Sequence, residues 1–192
     1  DFLEHVRNIH RFTAIQSHLG WDQETQMPKK GARARGDILA WLATQSHRLL
    51  TDSEFGRMLD ELEGQDLAPS LNANVREMRR KYDEAIKLPS EFISEFTKVR
   101  SRALVAWQDA RSKSDFSLFA PHLKAIIDLT RQKIDYLGFE HTPYDVLLDE
   151  YERDMKVSDY DPLFAGLKAR LVPLLKAIMD SGVKPLALPG EL

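Results

Sequence analysis

The 192-residue chain contains no cysteine. That excludes a disulfide framework, a thiolate nucleophile and a cysteine-ligated metal. It also suits a reducing cytoplasm, the location expected for this protein. No apolar run approaches the roughly 18 residues that read as a membrane-spanning helix. The first residues do not follow the basic-then-apolar pattern of a secretory leader. Nor is there an excess of one charge: 27 basic residues stand against 30 acidic ones, for a net charge of −3. Without a bulk electrostatic pull, neither nucleic acid nor an anionic membrane is an expected partner. The basic triplet Arg79-Arg80-Lys81 is set among acids and makes no larger patch.

Several chemical motifs are missing as well. A helical zinc hydrolase site places two imidazoles one turn apart, with a carboxylate between them. The six histidines are His5, His10, His18, His47, His122 and His141, and no two are four residues apart, so His-Glu-x-x-His does not occur. A carboxylate-bridged di-iron centre needs Glu-x-x-His on two helices. The residues three before each histidine are Phe2, Arg7, Ile15, Thr44, Phe119 and Gly138, none of them Glu. The sequence also lacks a nucleophile elbow and a phosphate-binding glycine loop. His18 and Asp22 have helical ligand spacing, but Gly20 lies between them and two donors do not make a site. Asp145 and Asp149 lie one turn apart. They read as solvated or helix-start acids, since acid–base work needs a cleft with shifted pKa values.

What is present is amphipathic helix. Hydrophobic residues are 43% and charged residues 30% of the chain, ordinary for a globular protein. Leu3, Val6, Ile9, Phe12, Ile15 and Leu19 predict a first helix from Phe2 to Leu19. Their steps of three wind the stripe round the helix, so contacts with more than one neighbour are expected. A second helix is predicted from about Gly31 to Leu50. Thr51-Asp52-Ser53-Glu54 reads as a capping box opening a short helix to Leu62. Pro69 starts a charged helix to about Lys87, with Val75, Met78, Tyr82 and Ile86 as its seam and the charges as a solvated face. Leu88-Pro89 marks a boundary. Long helices follow from Ser90 to about Ser112 and from Asp115 to Leu137. A short helix opens at Thr142-Pro143. A last one starts near Ser158 and runs to about Ser181, with Pro173 expected to kink it or remove a hydrogen bond. No strand pattern, sequence repeat or low-complexity segment is visible. The predicted fold is all-α, an array of about seven to eight helices.

One stretch departs from this pattern. Leu19 to Arg35 holds Gly20, Pro28 and Gly31 around Trp21, Asp22, Gln23 and Gln26. Gly20 is expected to end the first helix, which makes the connection longer than two packed helices need. Two readings stand open. Trp21 plugs a core gap while Asp22 caps backbone amides, or the segment is a polar cleft-facing or hinge region.

The same stretch carries a resemblance. Trp21-Asp22-Gln23-x-Thr25-x-Met27-Pro28, then Gly31 and Arg35, is similar to the N-terminal signature of the carboxypeptidase Taq family of metallocarboxypeptidases. Leu88-Pro89-x-x-Phe92, Trp107-x-x-Ala110-Arg111 and Asp115-Phe116-x-x-Phe119 follow in the family's order. So does Pro143-Tyr144-Asp145-x-Leu147-Leu148-Asp149-x-Tyr151-Glu152, and the likeness covers essentially the whole chain. One departure is clear: where the family usually continues with Pro-Gly, this chain has Arg153-Asp154.

The resemblance implies a nearly all-helical, homodimeric enzyme that removes single C-terminal residues from peptides with a zinc or cobalt ion. Residues 1–192 would be its N-terminal cleft wall and lid, inactive alone and binding no metal. Residues 183–192 would form a loop-like tail leading to the catalytic half, the partner within the same polypeptide. Trp21, Asp22, Gln23 and Arg35 are the cleft-facing or hinge candidates; no residue is assigned to catalysis or to the metal. A stand-alone helical interaction domain without chemistry is the alternative. An inhibitor derived from such a lid is a third reading.

Overall fold

The computed structural model describes residues 2–183. They form eight α-helices and no strand: α1 (Phe2–Thr25), α2 (Ala32–Leu50), α3 (Ser53–Leu62), α4 (Pro69–Ala85), α5 (Ser90–Lys113), α6 (Ala120–Leu137), α7 (Asp145–Leu148) and α8 (Val157–Asp180). The chain divides into two compact units, residues 1–137 and 138–192. Beyond Val183, the expected tail lies outside the described residues.

In the first unit the core gathers where α1, α3 and α4 meet. Phe2, Val6 and Ile9 of α1 pack with Phe55 and Leu59 of α3 and with Val75 and Met78 of α4. Phe55 and Leu59 are the only large side chains with no exposed surface among the described residues. Phe55 stacks on the His5 ring at 4.4 Å and makes a T-shaped contact with Tyr82 at 6.3 Å. The His5 imidazole also hydrogen-bonds the Leu49 carbonyl at 2.8 Å, tying α1 to the end of α2. α3 starts as the box sequence implies, although Asp52 is the cap: its carboxylate accepts the Glu54 N–H at 2.7 Å.

α2 packs on α5 more extensively than any other pair of helices. Small residues permit it: Ala40, Ala103 and Ala110 are buried, and Gly36 faces Ser101. Gly36 meets Ser101 near one end while His47 bonds the Ser90 hydroxyl at 3.2 Å near the other, so the two helices run antiparallel. The other His47 nitrogen donates to the Ala85 carbonyl at 3.0 Å and draws in the end of α4. α6 lies on α5 through Phe92, whose ring stacks on Phe96 and meets the edge of Tyr136.

Most charges of α4 lie on an exposed face, as expected, but Arg79 differs. Arg79 is not part of a solvated face. It reaches α3, where it pairs with Asp60 and, at 3.0 Å, with Glu63. Partial burial disfavours its charge, but these hydrogen bonds outweigh that and raise its pKa above the ordinary arginine range. Ile86, expected in the seam, is exposed at the C-cap of α4.

In the second unit, Asp145 organises the backbone. Its carboxylate accepts the Val157 N–H at 2.9 Å and the Thr142 N–H at 3.3 Å, joining the starts of α7 and α8. At Arg153-Asp154, where the resemblance leads one to expect Pro-Gly, Asp154 adopts a left-handed backbone (φ 63°) of the kind glycine favours. Its N–H donates to Asp149 Oδ1 at 2.8 Å. α8 runs unbroken through Pro162 and Pro173, each of which withdraws one N–H from its ladder. Its apolar side chains remain uncovered: Leu163, Phe164, Leu171, Leu174, Leu175 and Ile178 are each more than half exposed.

Candidate functional site

The segment that breaks the helical pattern in sequence breaks it less in space. α1 does not end at Gly20 but continues to Thr25, and the connection shrinks to three residues and a 3-10 turn over Lys29–Gly31. Gly in a helix interior costs about 1 kcal/mol relative to Ala. The turn that follows Gly20 is held by enough contacts to override that. The Thr25 hydroxyl donates to the Trp21 carbonyl at 2.8 Å, and the Asp22 carbonyl accepts from Gln26 and Met27 at 2.9 Å each. A Cβ at Gly20 would meet nothing within 4 Å, so no close approach explains the glycine.

Three of the four candidates point inward and brace helices. Arg35 of α2 donates through Nη2 to Asp22 Oδ2 at 2.5 Å and through Nη1 to the Leu19 carbonyl at 2.6 Å. Both side chains of this pair are partly buried. The Gln23 side chain is buried and donates through Nε2 to the Ser101 hydroxyl of α5 at 3.1 Å. Ser101 in turn lies against Gly36, where a Cβ would approach its Oγ to 3.2 Å. The result is a polar seam across α1, α2 and α5 at one end of the first unit. Buried polar groups that are all satisfied specify one arrangement of their helices more sharply than apolar contact does.

Trp21 stands apart from the seam. It is 57% exposed and stacks on His18 with ring centroids 6.0 Å apart. It does not plug a core gap, and among the described residues Asp22 caps no backbone amide: it pairs with Arg35. The other two tryptophans are also open, Trp41 at 59% and Trp107 at 41%. The Arg111 guanidinium lies over the Trp107 ring at 5.4 Å.

Because α1 continues, Gly20 does not separate His18 and Asp22 in helical register. Their side chains are nevertheless committed elsewhere, to Trp21 and Arg35. Among the described residues no three His, Asp or Glu side chains converge where they could hold a metal ion. Asp145 and Asp149 are occupied by the backbone N–H groups of α7 and its flanks. The Val157 N–H, with that of Thr142 adding to it, holds the Asp145 carboxyl below its ordinary pKa. That is the mark of an acid kept ionised, not of a proton donor.

Sequence reasoning did not find Ser101 or Gly36. The signal for them was the run of small residues in the second half of the Ser90–Lys113 helix, which called for a close neighbour without saying which one.

The chain belongs to the carboxypeptidase Taq (M32) metallopeptidase family, whose sequence pattern matches residues 1–188. Among curated relatives, thermostable carboxypeptidase 1 of Pyrococcus furiosus is 38% identical over 98% of this chain and 38% of its own length. Carboxypeptidase 1 of Bacillus subtilis is 33% identical over 96% of this chain and 37% of its own length. A solved structure, BsuCP, matches with a TM-score of 0.93 at 33% identity, covering 96% of this chain and 38% of that one. The chain therefore spans less than two-fifths of the length of these relatives.

Proposed function

We propose that this chain is the N-terminal part of a metal-dependent carboxypeptidase that releases single residues from peptide C-termini. The observation that carries the reading is membership of the metallopeptidase family across the chain, combined with coverage of only 38% of a curated relative. The chain walls and covers a substrate cleft and is inactive by itself. The remaining part of the same polypeptide packs against it and supplies the catalytic groups and the zinc or cobalt ion. The open apolar stripe of α8 supports this, since exposed apolar surface of that extent marks a surface made to be covered. The complete enzyme is read as a cytoplasmic homodimer acting on peptides.

Within this reading the four candidates divide by geometry. Asp22, Gln23 and Arg35 set the angle between α1, α2 and α5, while Trp21 presents an aromatic face to whatever enters the cleft. Incubating the chain with a peptide and zinc or cobalt should release no C-terminal residue, whereas the full-length protein should release them in a metal-dependent way. Activity from the chain alone would overturn the assignment. In the full-length enzyme, Trp21→Ala should lower peptide turnover while leaving the melting temperature nearly unchanged. A fall in stability with turnover intact would remove Trp21 from the cleft. The competing reading, a stand-alone interaction domain, requires a full-length product without a His-Glu-x-x-His pair, so sequencing the reading frame separates the two.

A further inference from the structure

On the first unit, α2 and α5 leave an open cleft of about 290 Å³ between them. Arg33 and Asp37 of α2 line one side, Lys98 and Arg102 of α5 the other, and the small residues Ala32 and Gly36 also line it. Three cations and one carboxylate thus share a cleft near the small end of the range for small-molecule sites.

What sets these charges apart is that they share one cleft. Elsewhere on this unit some arginines and lysines find acids, as Arg7 and Arg11 reach Glu4, Arg35 reaches Asp22 and Lys113 reaches Asp109, while others, Arg57 and Lys81 among them, find none among the described residues. In the cleft, none of Arg33, Asp37, Lys98 and Arg102 makes an ion pair or side-chain hydrogen bond among the described residues. Lys98 and Arg102 lie one turn apart on α5, a like-charge spacing that weakens a helix. Arg33 and Asp37 lie one turn apart on α2 without closing a bond, and Glu95, one turn before Lys98, does not reach it either. Local repulsion is therefore left standing in a chain whose net charge is −3.

We propose that this cleft is a binding site for a small oxyanion carrying at least two negative charges, whether phosphate or paired carboxylate. Arginine forks match both groups through two parallel hydrogen bonds, and Arg33 of α2 and Arg102 of α5 line the same cleft. Ala32 carries no long side chain to fill the gap, and Gly36, packed against Ser101, adds none. Asp37 accepts hydrogen bonds and so favours a ligand that also carries a donor. The site is independent of the peptidase reading. It stands or falls on binding alone.

The test is titration of the chain at low salt with pyrophosphate, citrate and the tripeptide Glu-Glu-Glu, followed by amide chemical shifts and calorimetry. At least one probe should bind saturably, with shifts centred on α2 and α5 and affinity falling as salt rises. Arg33→Gln and Arg102→Gln should each weaken binding about tenfold. The exposed Arg57→Gln should not change it, and circular dichroism should show all three variants folded. Binding by pyrophosphate or citrate assigns a free ion, and binding by the tripeptide alone assigns peptide carboxylates. Absence of saturable binding by all three probes, or affinity unchanged in the Arg33→Gln/Arg102→Gln double variant, would overturn the proposal.

Discussion

Single residues in this chain work mostly by filling backbone valences at helix ends. Asp145 is the clearest case, because one carboxylate serves the N–H groups of Thr142 and Val157. These bonds favour the ionised form and lower its pKa in the folded state. A group with a depressed folded pKa contributes stability that is fully present above its unfolded value, about pH 4. That contribution is lost as the pH falls through the folded value. Asp145→Asn should therefore lower the melting temperature at neutral pH and flatten its decline below about pH 4, with the two proteins converging in acid. Thermal melts across that range check the sign; parallel curves at every pH would mean that Asp145 ionises no differently on folding. Arg35 illustrates what sequence alone leaves open. Its identity and spacing singled it out, but its partners, Asp22 and the Leu19 carbonyl, depend on α1 running past Gly20.

At the scale of elements, reading the sequence succeeded where periodicity was long and failed where tertiary contact decided. The helices from Ala32, Ser53, Pro69 and Ser90 begin within a residue of their expected starts, because caps and prolines are local signals. Gly20 misled, since a glycine's weak penalty yields to the contacts of Asp22, Gln23 and Thr25. α3 was read only from its cap, yet it carries the most buried side chains. Phe55, Leu59 and Leu62 at helical spacing were the signal for that. The seam of Gln23, Ser101 and Gly36 joins residues up to 78 positions apart, a separation no local pattern reports. α3 also offers a measurement. A Cβ at Gly56 would collide with the Tyr82 ring, 2.7 Å from Cζ and closer to Oη. That ring lies between the Phe55 ring and the Arg79 guanidinium, so it has little room to give. Alanine would gain about 1 kcal/mol of helix propensity, but overpacking costs about 1–3 kcal/mol. Gly56→Ala should therefore be net destabilising, seen as a lower urea midpoint; a higher midpoint would show that Tyr82 moves freely.

For the molecule as a whole, the two units differ in how far they complete themselves. The first holds a closed cluster around Phe55 and Leu59, whereas the second exposes nearly every large apolar side chain of α8. On the proposed reading, the uncovered face of α8 is where the rest of the polypeptide would pack. The three tryptophans carry a spectroscopic consequence. All sit in contact with water, so the native emission should already peak at long wavelength and move little when the chain unfolds. Fluorescence would then register a cooperative transition weakly while circular dichroism follows it in full. If the longer polypeptide closes over Trp21, as its place in the proposed cleft implies, the complete enzyme should emit to the blue of this chain. The difference spectrum between the complete enzyme and its Trp21→Phe variant should then lie to the blue of the same difference taken in this chain, turning one indole into an optical gauge of whether the cleft is open or shut.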